Sequence, residues 1–351
     1  MKVLSKWKKR TVLSRFLSSF SVFALFACLF ATNCSSGELP GKFRFAFDGK
    51  GRFKIVQFTD LHWGGASGVT RDVTPTIVTI RSILEIEKPD FAVITGDITN
   101  SREALSEIAA IFEEAKTPFT ITLGNHDGEA KYNITRPEIF DHLMPLPYFV
   151  GDKGPEEITG TGNFVIPVYG RNGKTTALLY CFDSNSYSTN PRIGKSDVIH
   201  FDQVQWYRGQ SDGYALLNNG KPLPSLAFFH IPLPEHLYLE DKIQSPDVRK
   251  DISDPVAYNT GLFASFVEKE DIMGVFVGHE HNRDYVGIER GIMLGYGRLT
   301  GWNASAHGPD PNIERGARII ELYEGEFMFD TWLRTAQGVE QEFHYQTNIA
   351  P

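Results

Sequence analysis

Apolar residues recur along this chain with two different periods, and the switches between them predict its elements. Residues 53–59 mix aromatic and β-branched side chains and read as a strand ending at Asp60. Thr74 then caps a helix with Pro75 at its first position and Ile77, Ile80, Ile83 and Leu84 on one face, and Pro89 ends it. Residues 91–95 are a short continuous apolar run, as expected of a strand covered on both faces, and it stops at Gly96-Asp97. A second helix follows, with Asn100 as its cap, Glu103 three residues on, and Leu105, Ile108 and Phe112 as its buried stripe. Beyond Pro118, residues 119–123 form a third strand that runs into Gly124-Asn125-His126-Asp127. The order β-α-β-α-β implies a parallel sheet with right-handed crossovers.

The rest of the chain continues the pattern less regularly. Residues 128–175 are rich in Gly and Pro and read as excursions over a site. Strands are predicted at 176–182, ending at Asp183, at 226–229, ending at His230, and at 272–277, ending at Gly278-His279, with a helix starting over 202–207. Asp183 reads as a structural residue and Trp206 as a packing residue. From 291–294 and through 317–332 the chain reads as antiparallel strands closing a second sheet.

Polar chemistry gathers at the strand ends, where open α/β sheets place their functional groups. Asp60-Leu61-His62, Gly96-Asp97, Gly124-Asn125-His126-Asp127, His230 and Gly278-His279-Glu280-His281 each follow an apolar run. Carboxylate, amide and imidazole in that mixture suit a pair of metal ions better than a nucleophile triad. Asp97 is the candidate bridge between the ions. Asp60 and His62 alternate at one strand end and, with His281, would clasp the first ion; Asn125, His230 and His279 would bind the second. The glycines at 96, 124 and 278 let the backbone turn beneath the metals. No His-x-His-x-Asp-His run of the metallo-β-lactamase type occurs.

In this order the motifs resemble the calcineurin-like metallophosphoesterase family, with Asp-x-His, Gly-Asp, Gly-Asn-His-Asp, His and Gly-His-x-His at residues 60–62, 96–97, 124–127, 230 and 278–281. Thr70-Arg71-Asp72, residues 229–235 and residues 278–284 are similar to the compact plant and fungal branch named after purple acid phosphatases. The iron-binding tyrosine of the true purple enzymes is replaced by Asn100, which leaves the metals open among Mn, Fe and Zn. The resemblance implies an α/β fold, an αββα four-layer sandwich of parallel or mixed sheets. It also implies phosphoric ester hydrolysis by a metal-activated hydroxide, with His126 as a non-ligand acid or electrostatic helper beside the leaving group. Arg298 is either a positive clamp for the extra charge of a monoester or a surface arginine in a strand turn, so phosphomonoesters are only slightly favoured over phosphodiesters of nucleotide or phospholipid type. A catalytically weak binding or scaffold lipoprotein is the alternative of a different class.

Composition adds a location. With 41% hydrophobic and 22% charged residues the chain is ordinary globular protein, but residues 1–33 carry six basic residues, no acid and an apolar run over 16–31. That is export-signal architecture. Cys34, at the end of the run, is the expected lipid acceptor of a bacterial-lipoprotein type site, although Asn33 departs from that pattern; Cys28 is the rival acceptor, and both could be filler of a cleaved signal. The expected organisation is an export signal at 1–33, a linker at 34–50, the catalytic domain at 51–335 and a tail at 336–351. Removing the leader's six basic residues from the 35 leaves 29 against 43 acids, a formal charge of −14 that repels nucleic acid and leaves a small phosphate ester as the expected partner. Labelled fatty acid on the expressed protein should disappear in Cys34→Ala while export persists. Label that survives this change and vanishes from Cys28→Ala moves the acceptor, and no label on either means a protein exported without a lipid.

Overall fold

The computed structural model describes residues 42–64, 72–99, 101–239, 258–304 and 314–347. The leader with Cys28 and Cys34 lies outside the described residues, as do Thr70, Arg71 and Asn100. Strands β1 (Arg52–Phe58), β2 (Phe91–Thr95) and β3 (Phe119–Thr122) alternate with helices α1 (Thr74–Glu87) and α2 (Arg102–Ala115). Helix α3 (Arg136–Leu143), strands β4 (Phe164–Tyr169) and β5 (Thr175–Cys181), helix α4 (Phe201–Leu217) and strand β6 (Ser225–Phe228) follow. A 3₁₀ turn (Pro234–Leu239), helix α5 (Leu262–Lys269) and strands β7 (Ile272–Val277), β8 (Val286–Glu289), β9 (Ile292–Tyr296), β10 (Gly316–Tyr323), β11 (Met328–Thr335) and β12 (Gly338–Gln346) complete the chain.

Two six-stranded sheets result, ordered β12-β11-β10-β1-β2-β3 and β4-β5-β6-β7-β9-β8. In the first, parallel β1-β2-β3 form one side and antiparallel β10-β11-β12 the other; in the second, a parallel centre β5-β6-β7-β9 carries antiparallel β4 and β8 at its margins. The parallel sheet expected from β-α-β-α-β is therefore one part of a mixed sheet. Side-chain alternation on β5 shows why the sheets stack. Ala177, Leu179 and Cys181 enter the core shared with the first sheet, whereas Leu178, Tyr180 and Phe182 enter a second core with Val204 and Tyr207 of α4 and Phe263 and Phe266 of α5. Phe276 of β7 meets Phe329 of β11 at 5.8 Å between ring centroids, across the gap between sheets. Helices α1 to α3 pack on the first sheet, giving the α/β, four-layer αββα sandwich.

Several expectations need correction. The stretch 128–175 contains α3 and β4, and not only loops. Strands β10 to β12 do not close the second sheet; β10 pairs antiparallel with β1 and extends the first. The tail drawn at 336–351 includes β12, and the linker drawn at 34–50 includes Phe45 and Phe47, both in the core. Helix α2 takes its cap from Ser101, one residue later than expected, whose hydroxyl accepts the Ala104 N–H at 3.1 Å. Helix α1 starts at Thr74 without a side-chain cap, and Asp72 accepts the Thr74 N–H at 2.9 Å.

Candidate metal centre

The carboxyl ends of β1, β2, β3, β6 and β7 deliver the polar residues to one place, but not by strand alternation. Asp60 (φ 53°), His62 (φ 41°), Asp97 (φ 50°) and His279 (φ 74°) all lie just beyond their strands in the left-handed region. Non-glycine residues seldom adopt it, at a cost of about 1–3 kcal/mol each, and surrounding contacts must hold them there. Hydrogen bonds running past the strand ends do so: Asp60 N–H to the Gly96 carbonyl at 3.1 Å and His62 N–H to the Asp97 carbonyl at 2.9 Å. Gly96 (φ 81°) does turn left-handed beneath the site, and a Cβ there would lie 2.4 Å from His230 Nδ1. Gly124 and Gly278 serve close approach instead, because a Cβ on either would lie 2.3 Å from Asp97 Oδ1 or 2.0 Å from Thr59 Oγ1.

The side chains converge as two groups that share Asp97. Asp60, His62, Asp97 and His281 form one, and Asp97, His230 and His279 the other. Asp97 Oδ2 lies 3.5 Å from His62 Nε2 and its Oδ1 lies 3.4 Å from His230 Nε2, so each oxygen faces a different group. In the first group His62 Nε2 and His281 Nε2 are 3.1 Å apart, and His281 Nε2 is 3.4 Å from Asp60 Oδ1. In the second, His230 Nε2 is 3.3 Å from His279 Nδ1 and 3.2 Å from Asn125 Oδ1, which places the Asn125 amide oxygen with this group. Donors held about 2.0–2.2 Å from one ion lie roughly 3–3.5 Å from one another, the spacing found here.

Two further observations test whether these residues fit metal. Asp60 Oδ2 accepts from Thr59 Oγ1 at 2.6 Å and from the His279 N–H at 3.0 Å, but Oδ1 is buried without a hydrogen bond. A buried carboxylate oxygen left open in this way is what a cation would satisfy. His230 donates Nδ1–H to the Thr95 carbonyl at 2.8 Å, which fixes its tautomer and aims the Nε2 lone pair at the cluster. The residues fit two ions.

The electrostatics agree. Burial works against ionising Asp60, yet His281 and His230 beside it hold its carboxyl at about 2; His230 and His62 hold Asp97 well below the usual carboxylate range in the same way. Burial pushes His62 and His279 down to about 4, leaving them neutral ligands. Burial also opposes charging His230, but Asp97 pushes it up to about 9. An ion entering the second group must displace that proton, so loading is favoured as the pH rises.

Around the cluster, Asp127 is a brace. Its buried carboxylate accepts the N–H groups of Gly124, Ile98 and Thr99 at 2.8, 2.9 and 3.2 Å, tying the β2 and β3 ends together. His126 is not among the grouped ligands. Its backbone N–H donates to Asp97 Oδ1 at 2.9 Å, its ring sits edge-on to His62 at 5.5 Å, and its Nδ1 donates to Glu129 Oε1 at 3.1 Å. Glu129 escaped the sequence reading, although a carboxylate three residues beyond a histidine is a signal that could have found it. Asp183 is structural, accepting from the Thr161 and Asn185 N–H groups at 2.7 and 2.8 Å and pairing with Arg136. Trp206 packs against Phe182.

Arg298 is placed differently from its expectation. It is buried in ion pairs with Asp284 at 2.6 Å and Glu340 at 3.0 Å and donates to the Glu314 carbonyl, so its charge is already matched and it is no phosphate clamp.

Known proteins share the sequence family and the fold. The family described as calcineurin-like phosphoesterase matches residues 53–283. The probable inactive purple acid phosphatase 29 of Arabidopsis thaliana is 32% identical over 86% of this chain and 84% of its own length. The phosphatase DCR2 of Saccharomyces cerevisiae is 29% identical over 86% of this chain, which spans 56% of the yeast protein. Among solved structures, a dimetal phosphatase from Danio rerio superposes with a TM-score of 0.57 at 14% identity, covering 84% of this chain and 99% of its own. The purple acid phosphatase PPD1 of yellow lupin gives 0.51 at 11% identity over 87% of this chain and 55% of its own.

Because Asp97 is the residue shared by both groups, Asp97→Asn should lower bound metal to one ion or none and abolish hydrolysis, as read by elemental analysis and phosphate release. Two ions and full activity in that variant would remove the bridge.

Proposed function

Since the chain belongs to the calcineurin-like phosphoesterase family, we propose that it is a metal-dependent phosphoric ester hydrolase acting outside the cytoplasm. The observation that carries the reading is the Asp97 carboxylate, with one oxygen facing His62 and the other His230, inside a complete set of seven ligand residues. Asp60, His62, His281 and Asp97 would hold one ion and Asp97, Asn125, His230 and His279 the other, with Mn, Fe and Zn all suited to these donors. Bound there, the pair supplies Lewis-acid polarisation of a phosphoryl oxygen and a water made nucleophilic at neutral pH.

The chain's own residues do the rest. His126 has a partly exposed ring beside His62, and giving Nδ1–H to Glu129 leaves Nε2 as the nitrogen that exchanges a proton with the leaving-group oxygen. Glu129, mostly buried and paired with Lys131 at 2.7 Å, fixes that ring orientation. Thr59, Thr95 and Asp127 immobilise Asp60, His230 and the Asn125 corner, so the donors are organised before substrate arrives. With Arg298 tied to acids, its argument for monoesters over diesters falls away, and both ester classes belong to the proposal.

The word inactive in the names of three plant relatives favours a second reading, a phosphoesterase fold kept as a binding or scaffold module. The unbroken ligand set supports hydrolysis instead, and the basic, apolar leader supports an exported protein.

Loss of a general acid costs about 10²–10⁴-fold, least where the leaving group needs no proton. His126→Ala should therefore keep both ions and lose far more rate on alkyl phosphate esters than on nitrophenyl esters, while His279→Ala loses metal and fails on both. Equal losses on both ester types with metal retained would assign His126 to charge stabilisation. A metal-loaded wild type inert on mono- and diesters alike would favour the binding module.

A further inference from the structure

The loop after β5 holds an aromatic residue that neither the core nor the metal donors require. Tyr187 is 36% exposed, yet its hydroxyl receives the Asn125 Nδ2 hydrogen at 2.9 Å and lies 3.3 and 3.5 Å from the two ring nitrogens of His126. The two rings meet edge to face at 6.0 Å. The backbone on either side is anchored. Ser186 Oγ donates to the Asn125 carbonyl at 2.7 Å, Asp197 N–H to the Ser186 carbonyl at 2.8 Å and Ser188 N–H to the Lys195 carbonyl at 2.9 Å. Tyr187 itself pairs with Ser196 in an isolated antiparallel bridge. Behind it, Asn185 Nδ2 donates to the Val198 carbonyl at 2.7 Å and to Gln203 Oε1 at 3.0 Å.

Fixing an aromatic side chain costs conformational entropy that burial ordinarily offsets. Here over a third of the residue stays in solvent, so packing is a poor account of why the loop holds it. A phenol has one hydrogen to give and lone pairs to receive. Asn125 Nδ2 already occupies the receiving side, and it sits on the amide nitrogen, turned away from the Oδ1 that faces His230. The hydroxyl is thus beside Asn125 and next to His126 and the Glu129 carboxylate, and a phosphoryl oxygen entering the mouth of the site would draw its hydrogen from these weaker partners.

We infer that Tyr187 is a substrate-contacting residue whose hydroxyl donates a hydrogen bond to a non-bridging oxygen of the bound phosphoryl group. The inference rests on the phosphoester reading of the same site. The test compares wild type and Tyr187→Phe, as the full chain loaded with manganese, by metal analysis, by calorimetric titration with inorganic phosphate and by turnover. Tyr187→Phe should keep both ions and bind phosphate about 10- to 100-fold more weakly, the size of one hydrogen bond to a charged group, with a comparable loss of turnover. Unchanged phosphate affinity and turnover overturn the inference and leave the hydrolase reading standing. Loss of an ion overturns it too, because the phenol would then serve to orient the Asn125 amide. A loaded wild type that neither binds phosphate nor turns over any ester removes both readings.

Discussion

Two carboxylates, Asp60 and Asp97, are almost fully withdrawn from water, and the imidazoles of His62, His230 and His281 lie 3.4–3.5 Å from their oxygens. Burying an ionised carboxylate is among the most costly things a fold can do unless opposite charge accompanies it. Much else follows from that constraint. Within the bare cluster, a proton on His230 supplies part of the missing charge; two cations would supply all of it and would occupy the spaces between donors spaced 3.1–3.5 Å apart. The open Asp60 Oδ1 is the same constraint seen at one atom.

The sandwich makes this burial possible by bringing the carboxyl ends of parallel strands from both sheets to one end. Five loops then need room to approach each other, which explains glycine at 96, 124 and 278 more fully than turning does. They also need unusual backbone, since four ligand residues sit in the left-handed region, held by hydrogen bonds that extend the strand pairing beyond its last regular residue. Strain placed there is consistent with a site whose geometry is set by the fold and not by the ligands' own preferences.

The candidate metal ligands were legible because each lies just beyond an apolar strand, so that sequence position alone puts it at a strand end. Asp60 and His62 converge through left-handed backbone and not through period-2 alternation, which does not apply past Phe58. Long-range pairing was not legible: nothing local in β10 says that it pairs with β1, more than 250 residues earlier, and Phe45 and Phe47 carry too short a pattern to announce their burial. Arg298 misled because a glycine-flanked arginine after a strand looks available, and only the fold reveals Asp284 and Glu340 around it. Tyr187 and Glu129 are brought to the site by contacts with Asn125 and His126, and for Tyr187 those contacts span 61 residues or more.

Whether Asp97 bridges two ions in this cluster is tested most directly by anomalous X-ray scattering from crystals grown with manganese. A bridged two-ion site gives two peaks per chain, one beside Asp60, His62 and His281 and one beside Asn125, His230 and His279, both within coordination distance of Asp97. A single peak, or two peaks of which only one touches Asp97, would contradict it.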